Sequence, residues 1–167
     1  MTLEDYIFKQ ERIGMGGRVF TIYKIRTMYN GHTISIEEKT QASENGLYGK
    51  IENDPRCTKI GRSLRKYWVD ELPQLWNIFR GEMKFVGVRP LTKEEFKRLP
   101  KDLQKERIKH KPALISHLYT EKLNGWDKRI EAERKYFKRK KEHPIATDLF
   151  YFFKVFYNIV FKGARGV

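Results

Sequence analysis

Residues 54–90 read DPRCTKIGRSLRKYWVDELPQLWNIFRGEMKFVGVRP, a segment with two adjacent acids, Asp70 and Glu71, at its centre. Basic residues surround the acids on both sides: Arg56, Lys59, Arg62, Arg65, Lys66, Arg80, Lys84 and Arg89. Arginine can bind phosphate oxygens bidentately, and Mg²⁺ usually takes one or two protein carboxylates together with substrate phosphates. The segment therefore predicts a site for phosphates and a divalent metal, in which the second carboxylate acts as a nucleophile or a base.

The residues that follow the acids are spaced as in an amphipathic helix. Apolar side chains recur at i, i+3, i+4 and i+7, and they are Leu72, Leu75, Trp76 and Phe79. Asp70 lies at the expected N-cap, Pro73 falls in the first turn, and Gly81 is expected to end the helix. Both acids would then lie at the positive end of the helix dipole. The preceding IGRSLRKYW is compatible with a second helix that buries its apolar residues, Ile60, Leu64 and Trp68.

An Asp-Glu pair at a helix start also has a simpler explanation, in which Asp70 caps the helix and Glu71 is a solvated acid of the first turn. The longer context is more specific. DELPQLWN, followed by GEM and VGVRP, resembles the signature of the bacterial sugar transferases. These are the monotopic polyprenyl-phosphate phosphoglycosyl transferases that begin glycan assembly on a lipid carrier. QERIGMGGRVFTIYKIRTM, at residues 10–28, resembles a second pattern of the same family.

The N-terminal residues are typical of two strands joined by a glycine-rich turn. Ile7 and Phe8 fit the first strand, and the β-branched and aromatic residues from Val19 to Met28 fit the second. On the second strand, alternation places Phe20, Ile22, Lys24 and Arg26 on one face. Lys24 and Arg26 could be ordinary exposed strand residues, but the family resemblance makes both of them candidate active-site cations.

The composition of the chain limits the kinds of partner and structural feature that can be expected. Its 167 residues carry a formal net charge of +14, which favours phosphate-bearing partners such as a nucleotide, a nucleic acid or an anionic membrane surface. Cys57 is the only cysteine, so an intrachain disulfide is excluded. The sequence contains no apolar run of the length that a transmembrane helix needs. The four histidines lack the spacing of zinc ligands.

The C-terminal part predicts two helices, a basic one over residues 126–141 and an aromatic one that follows. Thr147 is the expected N-cap of DLFYFFKVFYNIVFK, and Gly163 is its expected end. Lys154, Asn158 and Lys162 form one narrow polar stripe, while the other side chains are mostly apolar. A helix of this kind is either buried in a core or lies in a membrane interface. The residues alone favour neither, and the resemblance favours the interface.

The resemblance implies a reaction and a role for each site residue. A nucleotide diphospho-sugar, expected to be a UDP-sugar, would donate a sugar 1-phosphate to polyprenyl phosphate, and UMP would leave. Asp70 would form the phosphosugar intermediate and Glu71 would bind Mg²⁺, although the motif also permits Asp70 to act as a base. The groups expected to hold the phosphates are Lys24, Arg26, Arg65 and Arg89, the last with Pro90 beside it to fix its direction.

The family's apolar N-terminal segment, which enters and leaves one membrane face, is expected before residues 8–10, yet this chain opens with MTLEDY. A truncated start, docking through the C-terminal helix, or a partner chain that supplies the membrane hairpin remain open, as does self-association. The resemblance implies a monotopic or peripheral protein at the cytoplasmic face of the bacterial inner membrane. The competing hypotheses are a basic nucleic-acid-binding module and a non-catalytic membrane-associated homologue.

The expected fold class is α+β. We expect a small antiparallel hairpin surrounded by short amphipathic helices, with an aromatic interfacial helix at the C-terminus. Residues 1–167 would form a single domain, with a catalytic core at about residues 8–120 and the basic and interfacial helices at about residues 126–163. The core would hold the substrates, and the last helices would hold the protein at the membrane.

Overall fold

The computed structural model describes residues 3–29, 54, 56–120 and 125–161. These residues form a mixed α+β fold, as predicted. Residues 30–53 are polar and contain two Asn-Gly pairs, which predicts a loop. This segment and the expected helix end at Gly163 lie outside the described residues.

The N-terminal hairpin confirms the predicted pair of strands. Helix α1 (Leu3–Tyr6) leads into β1 (Ile7–Ile13), which pairs antiparallel with β2 (Val19–Ile25). A 3₁₀ turn at Met15–Gly17 joins them, and its two glycines adopt positive φ angles of 71° and 76°. The predicted alternation along β2 is confirmed, because Phe20 and Ile22, expected on one face, are both buried against Met83.

The central segment runs from α2 (Lys59–Lys66) through a 3₁₀ helix (Val69–Gln74) into the short α3 (Leu75–Phe79). Thr58 caps α2 by accepting a hydrogen bond from the Gly61 backbone N–H. Gly61 itself lies against the Thr27 carbonyl, so close that a Cβ atom would fall 2.1 Å from that oxygen. A glycine at this position therefore lets α2 approach the end of β2.

The single amphipathic helix predicted after the acids is wrong in two respects. Its first half is a 3₁₀ helix whose N-cap is Trp68, in a left-handed conformation with φ of 57°, so Asp70 lies inside the helix and does not cap it. Its apolar face is also exposed and not buried: Leu72, Leu75, Trp76 and Phe79 all point to solvent. Ile60 of α2, expected in the core, is 74% exposed. The polar residues of the segment face the protein, because they form the wall of a cleft.

A second sheet was not anticipated from the sequence. Strand β3 (Lys84–Gly87) pairs parallel with β4 (Ala113–Ser116), and the connection between them contains α4 (Lys93–Arg98) and α5 (Lys101–Arg107). A parallel pair needs such a crossover. The charged sequence of residues 91–111 predicts one or two surface helices. Apolar residues of this segment nevertheless join the main core, which consists of Val86, Val88, Leu91, Leu99, Leu103, Tyr136, Phe137 and Tyr151.

The chain then continues through a short 3₁₀ helix (His117–Thr120) to α6 (Trp126–Glu142) and α7 (Pro144–Phe161). Helix α7 begins at Pro144, so the predicted N-cap at Thr147 is wrong: the Thr147 hydroxyl donates to the Arg139 carbonyl of α6 at 3.0 Å. A proline is favoured at a helix start because it has no N–H to leave unpaired.

The face that α7 buries differs from the predicted polar stripe. Thr147, Tyr151, Val155 and Asn158 face the core. Asn158 is buried because its Nδ2 donates to the Thr120 carbonyl at 2.9 Å. The opposite side of α7 exposes apolar side chains, namely Ile145, Leu149, Phe150, Phe152, Phe153, Phe156, Tyr157 and Phe161. Within the described ranges, every helix falls short of the length and apolarity needed to cross a bilayer.

Candidate active site

The acid pair lies in the 3₁₀ helix Val69–Gln74, which packs against β2. Asp70 and Glu71 are each 5% exposed. Two adjacent carboxylates this deeply buried need compensating positive charge or hydrogen bonds. The simpler explanation, in which Glu71 is a solvated acid of a first helical turn, is therefore wrong.

Lys24 supplies part of that charge. Its Nζ donates to Glu71 Oε1 at 2.7 Å, and both side chains are largely shielded from solvent, at 16% and 7% exposure. Burial lowers the pKa of Lys24, while the negative charge of Glu71 acts in the opposite direction. Because an ammonium group has three N–H donors, Lys24 can bind Glu71 and a phosphoryl oxygen at the same time.

The Lys24–Glu71 pair opens into a cleft between the hairpin and the parallel sheet. The cleft is lined by Arg12, Ile22, Lys24, Glu71, Gln74, Arg89, Pro90, Ala113 and Leu114. Three of these residues are basic and one is acidic. An anionic molecule therefore complements the charge of the cleft.

Arg89 enters the cleft from the segment after β3, as expected for the residue before Pro90. Its Nη1 donates to the Tyr119 hydroxyl at 2.5 Å. Burial raises the pKa of Tyr119 to about 12, so this hydroxyl stays neutral at physiological pH. The Tyr119 ring also contacts Trp68, with centroids 5.2 Å apart, and Trp68 begins the helix that carries the acids. Arg89 and the acid pair are thereby connected through two aromatic residues.

Three buried side chains hold the backbone from which Arg89 projects. The Arg12 Nη1 donates to the Pro90 carbonyl at 3.2 Å, Arg107 donates to the Arg89 carbonyl, and His117 Nδ1 lies 3.1 Å from the Gly87 carbonyl. Arg107 is held in turn by Glu133, a fully buried carboxylate 2.5 Å from it. These contacts fix the backbone on both sides of Arg89 and so determine where its side chain starts.

Two of the predicted phosphate ligands lie elsewhere. The Arg26 Nε donates to the Asp5 carbonyl at 3.0 Å, beyond the end of β2. The Arg65 Nη1 lies 3.3 Å from Cys57 Sγ, and Arg65 contributes to the lowered pKa of Asp54, whose largest cause is a hydrogen bond from Arg56. The structure thus brings Lys24, Glu71, Arg89 and Pro90 to one cleft, with Asp70 beside them. The roles of Arg26 and Arg65 stay predictions.

The two carboxylates suit Mg²⁺ better than a metal ion that takes all its ligands from the protein. No cluster of three or more His, Cys, Asp or Glu side chains occurs in the described part of the chain. Mg²⁺ commonly takes one or two carboxylates and completes its shell with substrate phosphates and water. Asp70 and Glu71, next to a cationic cleft, meet that requirement, and Glu71 stays the predicted ligand.

Sequence reasoning missed three residues of this site. Arg12 pairs with Phe20 across the hairpin and so lies on the same face as Lys24, but only the pairing of β1 with β2 reveals this. Tyr119 is far from Arg89 in sequence and gave no signal. Gln74 could have been found, because it lies three residues after Glu71, and side chains at i and i+3 eclipse in a 3₁₀ helix.

Comparison with known proteins identifies similar sequences. A family model described as "Bacterial sugar transferase" matches residues 2–162. The chain is 41% identical over 109 residues to galactosyl transferase CpsE of Streptococcus agalactiae, covering 65% of this chain and 24% of that protein. It is 41% identical over 102 residues to the UDP-galactose-lipid carrier transferase of Erwinia amylovora, covering 58% and 21%.

A third relative is the undecaprenyl-phosphate galactose phosphotransferase of Salmonella typhimurium, 36% identical over 102 residues, with 58% of this chain and 21% of that protein covered. The matched part is therefore about a fifth to a quarter of the length of these three relatives. The match to the family model, by contrast, takes in nearly the whole of this chain.

Proposed function

The chain belongs to the bacterial sugar transferase family, and from this membership and the chemistry of its cleft we propose that it transfers a sugar 1-phosphate from a UDP-sugar to polyprenyl phosphate, with release of UMP. The observation that carries the proposal is the 2.7 Å contact of Lys24 with Glu71, inside a cleft that Arg89 also lines. Phosphoryl transfer depends mainly on positioning and charge neutralisation, which a buried acid pair among cations supplies. Names of relatives that mention undecaprenyl phosphate support the lipid acceptor.

The donor would bind with its diphosphate among the basic residues of the cleft. Arg89 can grip phosphoryl oxygens bidentately, and Lys24 can add a further N–H while it holds Glu71. The bound Mg²⁺, held by Glu71, would supply further neutralisation of the diphosphate charge. The Tyr119 hydroxyl keeps the Arg89 guanidinium directed, since it accepts a hydrogen bond from Nη1.

The chemical step would proceed in two displacements at one phosphorus atom. In the first, a carboxylate oxygen of Asp70 attacks the phosphorus next to the sugar, the bond to the bridging oxygen breaks, and UMP leaves with that oxygen and its electron pair. In the second, an oxygen of polyprenyl phosphate attacks the same phosphorus, and the Asp70 carboxylate is the leaving group. A covalent intermediate of this kind divides one difficult displacement into two easier ones.

The lipid acceptor requires a site near a bilayer. The exposed apolar side chains of α3 and α7 would lie at the membrane surface, since large exposed apolar patches often mark contacts with a membrane or a partner. Aromatic side chains and flanking lysines suit the level of the headgroups. The net charge of +14 would add attraction to anionic lipids, at about 1 kcal/mol for each basic residue near the surface. We propose that the protein acts at the cytoplasmic face of the bacterial inner membrane.

The test is UMP release from a panel of UDP-sugars, with polyprenyl phosphate in liposomes and Mg²⁺ present. We expect one or more UDP-sugars to support release, and both Asp70→Asn and Glu71→Gln to abolish it. Glu94→Gln, which changes an exposed acid on α4, is the matched control and should keep full activity. A protein that acts only as a membrane scaffold would bind liposomes equally well with or without the two acids and release no UMP.

The covalent step has its own measurement. Exchange of labelled UMP into the UDP-sugar, without any lipid acceptor, is expected for the wild-type protein because the first displacement is reversible. Full transfer activity without such exchange would assign Asp70 the role of a base.

A further inference from the structure

Gln74 is a buried side chain of the cleft to which the mechanism above assigns no task. It is 2% exposed and lines the cleft together with Arg12, Lys24, Glu71 and Arg89. It lies three residues after Glu71 in the 3₁₀ helix, so the two side chains project from the same face. Gln74 is therefore held near the proposed metal-binding carboxylate, in the cleft that the basic residues line.

The Nε2 amide of Gln74 lacks a hydrogen-bond acceptor within residues 3–29, 54, 56–120 and 125–161. Buried polar groups in folded proteins nearly always have a partner, because an unmade hydrogen bond leaves the desolvation cost uncompensated. An orphaned donor that lines a cleft is therefore expected to find its acceptor in the molecule that occupies the cleft.

Asn77 shows what a purely structural amide looks like in the same segment. It lies three residues after Gln74, it is fully buried, and its Nδ2 donates to the Thr21 carbonyl and to Glu82 Oε2, both at 2.7 Å. Asn77 thus joins α3 to β2, and its donors are used inside the protein. Gln74 shares the burial and the chemistry of Asn77 but not these bonds.

The charge of the cleft indicates which acceptor Gln74 meets. Arg12, Lys24 and Arg89 line the same cleft as Gln74, so an anionic occupant complements its charge. We propose that Gln74 is a substrate-binding residue whose Nε2 donates a hydrogen bond to a phosphoryl oxygen of the nucleotide diphospho-sugar. This inference rests on the proposed function and adds a neutral donor to the basic residues that hold the diphosphate.

The test compares Gln74→Met and Gln74→Glu with the wild-type protein. Methionine keeps the unbranched length of the side chain and removes the donor, and glutamate keeps the shape but presents only acceptors to the diphosphate. A lost hydrogen bond to a charged group predicts a fall in kcat/KM for the UDP-sugar of about 10- to 100-fold, with a rise in KM. Gln74→Met should not lower the melting temperature, since the orphaned donor contributes no bond to the fold.

Asn77→Leu is the matched control, and it should lower the melting temperature because two internal hydrogen bonds are lost. Gln74→Met would overturn the proposal if it kept the wild-type kcat/KM, as it would if the amide bonded only a trapped water molecule. A loss of activity in step with a loss of stability would also overturn it. If Gln74→Met does not fold, Gln74→Glu is measured by the same criteria.

A second readout separates this inference from the proposed function. The thermal shift that UDP induces depends on binding alone and needs no transfer. If the wild-type protein releases no UMP but is stabilised by UDP, the proposed transfer fails. In that case, loss of the shift in Gln74→Met supports the assignment, and an unchanged shift overturns it. A wild-type protein that neither releases UMP nor responds to UDP would overturn both.

Discussion

His117 should make the stability of this protein sensitive to mild acid. The ring is 1% exposed, its Nδ1 lies 3.1 Å from the Gly87 carbonyl, and it stacks on Tyr136 with centroids 4.5 Å apart. Burial lowers the pKa of His117 from 6.5 to about 4, although the nearby charge of Glu133 acts against this effect and the arginines at 107 and 129 reinforce it. The neutral ring therefore donates from Nδ1 to Gly87 and keeps Nε2 without a proton.

The size of the effect follows from proton linkage. Between pH 6.5 and pH 4 the unfolded chain binds a proton at His117 that the folded chain does not. The stability that the neutral His117 ring contributes is therefore fully present above pH 6.5 and is lost as the pH falls towards 4. At pH 5 the unfolded imidazole is almost fully protonated and the folded one almost fully neutral, so the loss relative to pH 7.5 is about 2 kcal/mol. For a chain of this size that corresponds to a fall in melting temperature of about 4–8 °C.

Urea unfolding at pH 7.5 and pH 5 measures this loss, and His117→Asn isolates it. The asparagine amide can donate to Gly87 as Nδ1 does, but it cannot take up a proton. The variant should lose about 1 kcal/mol at pH 7.5 with the ring stack, yet its stability should fall by about 2 kcal/mol less than that of the wild type between the two pH values. His110 and the carboxylates titrate in both proteins and cancel in the difference. Equal losses in the two proteins would refute the reasoning.

Three further predictions concern the cleft, the core behind it and the exposed apolar surface. Lys24→Met should lower kcat for UMP release by about 10²- to 10³-fold, because it removes a preorganised cation from the transferred phosphate, and near-normal turnover would contradict this role. Glu133→Gln breaks a fully buried ion pair and should cost about 3–5 kcal/mol in urea unfolding, whereas Arg134→Gln breaks an exposed pair and should cost less than about 1 kcal/mol. Similar losses of unfolding free energy in both variants would show that burial does not determine the energy of these ion pairs. Trp76→Asp with Phe79→Asp should weaken cosedimentation with anionic liposomes while the melting temperature stays unchanged; unaltered cosedimentation would remove α3 from the membrane surface.

The sequence predicted those parts of the fold that depend on local patterns. Alternation along β2 correctly put Phe20, Ile22 and Lys24 on one face, where Phe20 and Ile22 are buried and Lys24 lines the cleft. In the structure Glu71 lies in one cleft with Lys24 and Arg89, and the roles that the resemblance implies for them stay predictions. The strand prediction succeeded because strand periodicity is local, whereas the contacts between the acids and the distant cations follow no local pattern.

The sequence could not predict contacts that cross between distant segments without a pattern. Tyr119 meets Arg89, and Arg107 reaches the Arg89 carbonyl, only because α5 and β4 return the chain beside β3. The predicted start of α7 was also wrong. Thr147 is a good N-cap by residue type, but its hydroxyl donates to the Arg139 carbonyl of the preceding helix. Tertiary contacts here overrode the local preference.

The most informative error concerns the segment that carries the acids. Its apolar period correctly indicated a helical structure, but the rule that apolar faces turn inward failed, because the inward position is taken by Glu71, Gln74 and Asn77. A period identifies two faces and does not say which one the protein buries. Under the proposed function, with a nucleotide substrate in water and a lipid substrate in a bilayer, both faces of such a segment have a use. The polar face forms the wall of the anion cleft, and the apolar face can rest on the membrane from which the acceptor comes.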